Sequence, residues 1–255
     1  MNKNFEEYAR YYNLFYGDKA YKNEAKTIDT IIKKYDSINA KLLLNVGCGT
    51  GKHDVELANL GYQIKGIDLS PDMIDIAKKN SKDKDIIFEV GDARTFSDDK
   101  KYDVVTSLFH VMSYQTSNED LLSSFEMVNR ELKKDGLFLF DAWYGPGVLS
   151  DKPEVRIKQV EDDTNIFIRH AIPVIYPDKN VVDVNYEVLV VDKATSILHN
   201  IKETHKMRYL FTPEVELMLN SKGFELIACI DCNSLDKVDF NSWTAYFVAR
   251  KVSEI

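Results

Sequence analysis

The 255-residue chain is 44% hydrophobic and 29% charged, with a formal net charge of -8, so it holds enough apolar material for one large core. The negative charge is spread along the chain with no basic stripe to neutralise a row of phosphates, which excludes a nucleic acid polymer as the expected partner. Cys48, Cys229 and Cys232 are too few for a disulfide framework, and their odd number points to a reducing compartment. Met1-Asn2-Lys3-Asn4-Phe5-Glu6-Glu7 lacks the apolar stretch of a signal peptide, and no window approaches the ~20 uncharged residues of a membrane span. A soluble cytoplasmic protein without a membrane partner is expected.

In chain order, the stretch from Tyr8 to Tyr21 carries five tyrosines in fourteen residues and reads as an amphipathic helix, part of a lid over residues 1–40. From Lys41 to Tyr144, β-rich apolar runs alternate with segments of helical period, as in βαβ units. Strands are predicted at Lys41–Val46, Gln63–Asp68, Ile86–Val90, Tyr102–Phe109 and Gly136–Tyr144. Helices are expected near Lys52–Leu60, Pro71–Asn80 and Glu119–Lys133, the second capped by Ser70 with Pro71 in its first turn. After Pro146 the pattern turns to extended runs at Asn165–Ile175, Val181–Val191 and Glu203–Phe211, separated by turn residues. The α/β pattern resumes with a helix opened by Thr212-Pro213-Glu214 and closed by Gly223, then strands at Glu225–Asp231 and Ser242–Lys251. The expectation is an α/β, Rossmann-like fold with a mostly parallel seven-stranded sheet. Residues 41–146 and 212–255 form its core, and 147–211 an antiparallel β insertion for substrate binding. The CxxC pair Cys229 and Cys232 lies in an apolar run and reads as core, so no metal site is expected.

The segment from Leu42 to Gly51 runs from an apolar strand through Gly47, Cys48, Gly49 and Gly51 into a helix. Alternate glycines let the backbone turn sharply and approach a ligand where a Cβ would collide. Two acids stand at the following strand ends: Asp68, in Gly66-Ile67-Asp68-Leu69-Ser70, and Asp92, in Gly91-Asp92-Ala93. In a parallel sheet these three strand ends line one crevice. Asp68 can accept hydrogen bonds from both ribose hydroxyls, and Asp92 one from an adenine amino group.

This set resembles the S-adenosylmethionine site of class I methyltransferases: a GxGxG loop after the first strand, an acid ending the second, and a GDA turn ending the third. A dinucleotide site asks instead for GxGxxG. The resemblance implies S-adenosyl-L-methionine as cofactor, with Ala93 beside Asp92, Leu69 and Met73 against adenine, and Leu108 and Phe109 at the methionine end. Asn45 stands where the family commonly has an acid.

The string Tyr12-Asn13-Leu14 with Tyr21, Phe109 through Tyr114, the turn Asp141-Ala142-Trp143-Tyr144-Gly145-Pro146, and Glu203-Thr204-His205 leading to Phe211-Thr212 resembles the dTDP-aminosugar N-methyltransferases and N,N-dimethyltransferases. That resemblance implies methylation of the amino group of a nucleotide-linked deoxyamino sugar, and makes a homodimer reasonable. Methyl transfer from a sulfonium asks mainly for alignment of the nucleophile, and an amine attacks only as its free base. His110 or His205 can take the proton, while Tyr12 and Tyr114 position the acceptor. Phe109, Met112 and Trp143, with Tyr144 in the same turn, would exclude water and keep the amine neutral. Arg169 and Arg208 are expected to bind a diphosphate. The competing readings are another small amine, hydroxyl or carboxylate as acceptor, an NAD-dependent oxidoreductase, and a cofactor-binding protein without catalysis.

Overall fold

Five parallel strands follow directly from the alternation of apolar runs with helical segments. The structure, a computed structural model, describes Phe15, residues 20–82 and residues 84–255. After helix α1 (Tyr21–Tyr35) come β1 (Leu42–Val46), α2 (Lys52–Asn59), β2 (Gln63–Asp68), α3 (Pro71–Asn80), β3 (Ile86–Val90) and β4 (Tyr102–Ser107). A single 3-10 turn (Val111–Tyr114) leads to α4 (Asn118–Glu131), β5 (Leu132–Tyr144) and α5 (Gly145–Ser150). The chain then forms β6 (Arg156–Glu161), β7 (Asn165–Tyr176), β8 (Val181–Asp192) and β9 (Leu198–Leu210), and ends in α6 (Thr212–Ser221), β10 (Phe224–Asp231) and β11 (Thr244–Lys251).

The strand order of the core is β3-β2-β1-β4-β5-β11-β10, parallel except for β11, which pairs antiparallel with both β5 and β10. Seven strands are thus doubly wound, as expected. Helices α1, α2 and α3 cover one face, with Ile28, Ile32 and Leu57 on Leu43, Val104 and Leu139. Helices α4 and α6 cover the other. There Phe138 and Phe140, two residues apart and so on one side of β5, stack at 4.7 Å, and Phe140 stacks on Phe247 at 5.0 Å. Ser70 caps α3 by accepting from the Met73 N–H at 3.3 Å, with Pro71 in the first turn. Burial pushes the Cys229 thiol up to about 11, in keeping with a core residue. Among the described residues no helix is long and apolar enough to cross a membrane.

Strands β6 to β9 form an antiparallel meander, joined to the core where β9 runs parallel to the end of β5 at Trp143 and Tyr144. Its first strand, β6, goes beyond the sequence reading; charged Arg156, Lys158 and Glu161 mark it as an edge. β9 begins five residues earlier than expected, because pairing with β8 carries the exposed, polar stretch from Leu198 to Lys202 into the ladder. β4 is shorter than expected: Phe109 and His110 both take a φ of +66°, which ends the ladder at Ser107. α4 likewise stops at Glu131, since Leu132 is already extended.

The aromatic stack carries much of the packing on its face, so Phe140→Ala is expected to cost about 3–5 kcal/mol. Urea denaturation would check this, and a loss below about 1 kcal/mol would mean that the stack collapses onto the gap.

Candidate active site

The loop between β1 and α2 is pinned from below. The N–H groups of Gly47 and Cys48 both donate to the carbonyl of Ile67 on β2, at 2.8 and 2.9 Å, and Gly51 N–H donates to Cys48 O at 3.0 Å. Two of its glycines serve different ends. A Cβ on Gly51 (φ +71°) would stand 2.8 Å from Phe88 Cζ, so that glycine permits the loop to pack on β3. A Cβ on Gly49 (φ +55°) would meet no atom within 4 Å, so that residue faces open space. This is the cradle a ligand requires.

Asp68, at the end of β2, borders the cradle. Its Oδ2 accepts from the Gly49 N–H and its Oδ1 from the Ser70 N–H, both at 2.9 Å. Each oxygen keeps a lone pair for a hydroxyl donor. Burial raises this carboxyl above its ordinary range, and the two N–H bonds pull it back. Beside it Leu69 is exposed, leaving an apolar surface at the rim. Asp92 sits at the end of β3 as expected, but is clamped by Arg94, whose Nε and Nη2 reach its two oxygens at 2.9 and 2.6 Å. Arg94 also holds Asp120 at 2.8 Å. The guanidinium hydrogen bonds keep Asp92 below the usual carboxylate range, so any adenine amino group must share this carboxylate with Arg94. Ala93, in the same turn, is half-buried against the core.

Three expected cofactor residues lie deeper than the sequence suggested. Asn45 is buried under the loop; its Nδ2 donates to Asp54 Oδ2 and its Oδ1 accepts from Thr106 Oγ1, both at 3.0 Å. Met73 packs on the inner side of α3 and Leu108 in the core under α1. Sequence reasoning missed Asp54, a fully buried acid on the first turn of α2, pushed up to about 7 by desolvation. Tyr21 stands at the start of α1, edge-on to His53 at 4.9 Å and under Lys52 Nζ at 5.1 Å, while His53 Nε2 lies 2.6 Å from Glu24. These contacts hold α1 against the start of α2.

The far side of the crevice is built by the ends of β4 and β5. Two consecutive left-handed residues that are not glycine, Phe109 and His110, are uncommon and cluster at functional sites. Asp141 holds them there: its carboxylate accepts from the His110 N–H at 3.2 Å and lies 2.6 Å from the ring Nδ1. Phe109 lies tilted against the His110 ring at 5.3 Å. One 3-10 turn later, Tyr114 Oη is 2.8 Å from His205 Nδ1, and His205 Nε2 is 3.2 Å from Glu203 Oε2. The structure therefore assembles a His-Asp pair on the core and a Tyr-His-Glu chain reaching onto the insertion. Asp141 and Glu203 complete them. In the sequence both stand inside the strings that carry the aminosugar-methyltransferase resemblance, with no role assigned to either.

Register sorts the remaining candidates. In the β8–β9 ladder Tyr186 opposes Glu203 and Val184 opposes His205, and in β7–β8 Arg169 opposes Val188, so Arg169, Tyr186, Glu203 and His205 share one face. On that face the Arg169 guanidinium lies 4.8 Å from the Phe15 ring and 5.1 Å from the Tyr186 ring. Arg208, three residues from His205, points the other way. It is buried and bonded to Glu214 and to Asn118 Oδ1, next to a cleft of about 680 Å³ lined by Ser117, Asn118, Lys206 and Glu214. The expected pairing of Arg208 with Arg169 on one diphosphate is corrected on this ground. Met112 packs into the main core, so it is not the open wall expected of it, and Tyr144 is buried there too. Trp143 packs edge-on to Trp243 at 4.9 Å, and the Trp143 backbone N–H donates to Ser113 Oγ at 3.1 Å. Tyr12 lies outside the described residues.

The open cradle at Gly49, the Asp68 carboxylate and the exposed Leu69 fit a nucleoside whose ribose and base rest on this rim, and so fit S-adenosylmethionine. Residues 43–136 match the family described as a methyltransferase domain. The fold is that of the class I, Rossmann-like methyltransferases. The chain resembles the dTDP-3-amino-3,6-dideoxy-alpha-D-glucopyranose N,N-dimethyltransferase of Streptomyces fradiae, at 30% identity over 142 residues, covering 55% of this chain and 54% of that one. About half the length of such curated relatives is spanned by these matches. Two solved structures share the fold over nearly the whole chain. A S-adenosylmethionine-dependent methyltransferase from Clostridium acetobutylicum superposes with a TM-score of 0.80 at 20% identity, covering 98% of this chain and 99% of that one. CalS10, an amino pentose methyltransferase from Micromonospora echinaspora, superposes at 0.76 and 21% over the same shares.

Asp68→Ala removes an acceptor from the rim and is expected to weaken S-adenosylmethionine binding by about 1–3 kcal/mol; isothermal titration checks this, and an unchanged Kd would place the ribose elsewhere. Asp54 gives a pH prediction. Its folded pKa of about 7 lies above the roughly 3.9 of an unfolded aspartate. Its contribution is therefore full below about pH 4 and is lost as pH rises through about 7. Melting temperatures across that range should fall more steeply for the parent than for Asp54→Asn; parallel curves would contradict the assignment.

Proposed function

We propose that the chain transfers methyl groups from S-adenosylmethionine to the amino group of a nucleotide-linked deoxyamino sugar, such as a dTDP sugar. The observation that carries this reading is the His110-Asp141 pair at the ends of β4 and β5, set in strained backbone beside the cradle and one short turn from the Tyr114-His205-Glu203 chain. Relatives named as dTDP-aminosugar N,N-dimethyltransferases support the acceptor class.

The bound cofactor supplies a methyl group already activated on a sulfonium. What remains for the protein is to align the nucleophile and remove its proton. In this reading Asp68 and the loop hold the nucleoside, and the wall of Phe109 and Trp143 keeps water from the amine. The amine's proton passes to Nε2 of His110, and Asp141, against the other ring nitrogen, balances the charge of the resulting imidazolium. On the insertion side, the His205 tautomer protonated at Nε2 faces Glu203 and accepts the Tyr114 hydroxyl at Nδ1. That turns the phenol oxygen's lone pairs toward the acceptor. Arg169, on the same face, is the group for the sugar's diphosphate. Tyr114 acts as a positioning hydroxyl.

A panel of dTDP-amino sugars, simple amines, alcohols and carboxylates, assayed with methyl-labelled cofactor, tests the reading. Label on the sugar amine is expected; label on alcohols or acids and never on an aminosugar nucleotide would overturn it. In the same assay His110→Asn, a residue that tolerates left-handed backbone, should lower kcat by about 10²–10⁴-fold and leave the cofactor Kd unchanged. A kcat equal to the parent's would remove His110 as the base.

A further inference from the structure

Two carboxylates, Asp54 and Asp68, act on the loop residue Cys48. Both Asp54 and Asp68 raise its thiol through their charge, beyond the larger effect of burial. Among the described residues neither carboxylate makes an ion pair, and Asp54 Oδ1 is buried with no hydrogen-bond partner. The cations next to Asp54 in sequence are turned elsewhere, Lys52 over the Tyr21 ring and His53 toward Glu24 on α1. Asp54 is fixed by Asn45, whose carboxamide has no freedom to turn, because its oxygen is taken by Thr106. A fully buried carboxylate held under a ligand cradle without a counter-charge is costly to ionise. It becomes stable as an anion when a cation is seated above it.

We propose that Asp54, clamped by Asn45, is the anionic group matched to the positive charge of the cofactor, and that cofactor binding releases its proton. The inference rests on the cofactor lying over the loop. The charge belongs to the Asn45/Asp54 pair as a unit: one member must be a carboxylate and the other an amide, since two facing carboxylates would repel and two amides would carry no charge. By linkage, a group that loses a proton when a ligand binds makes the ligand bind more tightly as pH rises through the group's titration. The other titratable groups near it are Cys48 and Asp68, and the Asp54→Asn variant separates their contribution from its own.

Isothermal titration of the full chain with S-adenosylmethionine between pH 6 and 8, in buffers of different ionisation enthalpy, counts the protons released. For the parent we expect net proton release near pH 7 and affinity rising by about tenfold over the range. Asp54→Asn is expected to bind about tenfold more weakly at pH 8 and to lose that part of the pH dependence. The exchange variant Asn45→Asp with Asp54→Asn is expected to recover most of the affinity. If Asp54→Asn fails to fold, the parent's proton count and the exchange variant decide the matter. Binding by the parent without proton release would overturn the inference alone, as would a folded Asp54→Asn that binds like the parent. No binding by the parent at any pH would instead overturn the placement of the cofactor.

Discussion

The carbonyl of Ile67, at the end of β2, accepts two N–H groups from the loop that follows β1, those of Gly47 and Cys48. This shared acceptor ties two strand ends and the loop into one rigid unit, and the rest of the site is placed relative to it. It turns the Gly49 N–H to Asp68 and leaves open space where a Cβ would stand. It also sets α2 so that Asp54 lies over Asn45. A loop fixed in this way has little conformational freedom left to lose when a ligand binds, which is how a preorganised site gains affinity without further contacts.

The opposite wall is made by a different constraint. Backbone at Phe109 and His110 is held in the left-handed region by Asp141, which takes the His110 N–H and faces its ring. Strain of this sort persists only where surrounding contacts over-determine it. Asp141 lies within β5 next to Phe140 of the Phe138 and Phe140 stack, so the core supports the pair. The insertion reaches the same crevice because β9 continues beside the end of β5, bringing His205 to Tyr114. Methyl-transfer sites need alignment more than acid–base strength, and two rigid walls converging on one crevice provide it.

How far the sequence reveals this depends on whether the constraint is local. The glycine loop, the strand end at Asp68 and the seven-stranded α/β core are legible because turns, caps and apolar period are encoded within a few residues. The facing of the insertion strands is not, since a shift of one residue moves every side chain to the other face; Arg169 and Arg208 look alike in sequence and end on opposite sides. Asn45 and Asp54 are nine positions apart, and their contact requires the phase of α2 over β1. A faint signal exists, for Asp54 lies three residues before Leu57 on the inward face of its helix. Met112 misled for the opposite reason: an apolar residue near the reaction centre reads as a wall, and only packing shows that it belongs to the core.

Every role in the site depends on where the nucleoside lies, and a crystal structure with S-adenosylhomocysteine bound measures that directly. The ribose hydroxyls should meet Asp68, with the ligand crossing the open space above Gly49 and its sulfur turned toward His110. A ligand seated instead in the cleft beside Asn118 and Lys206, with the loop empty, would contradict it.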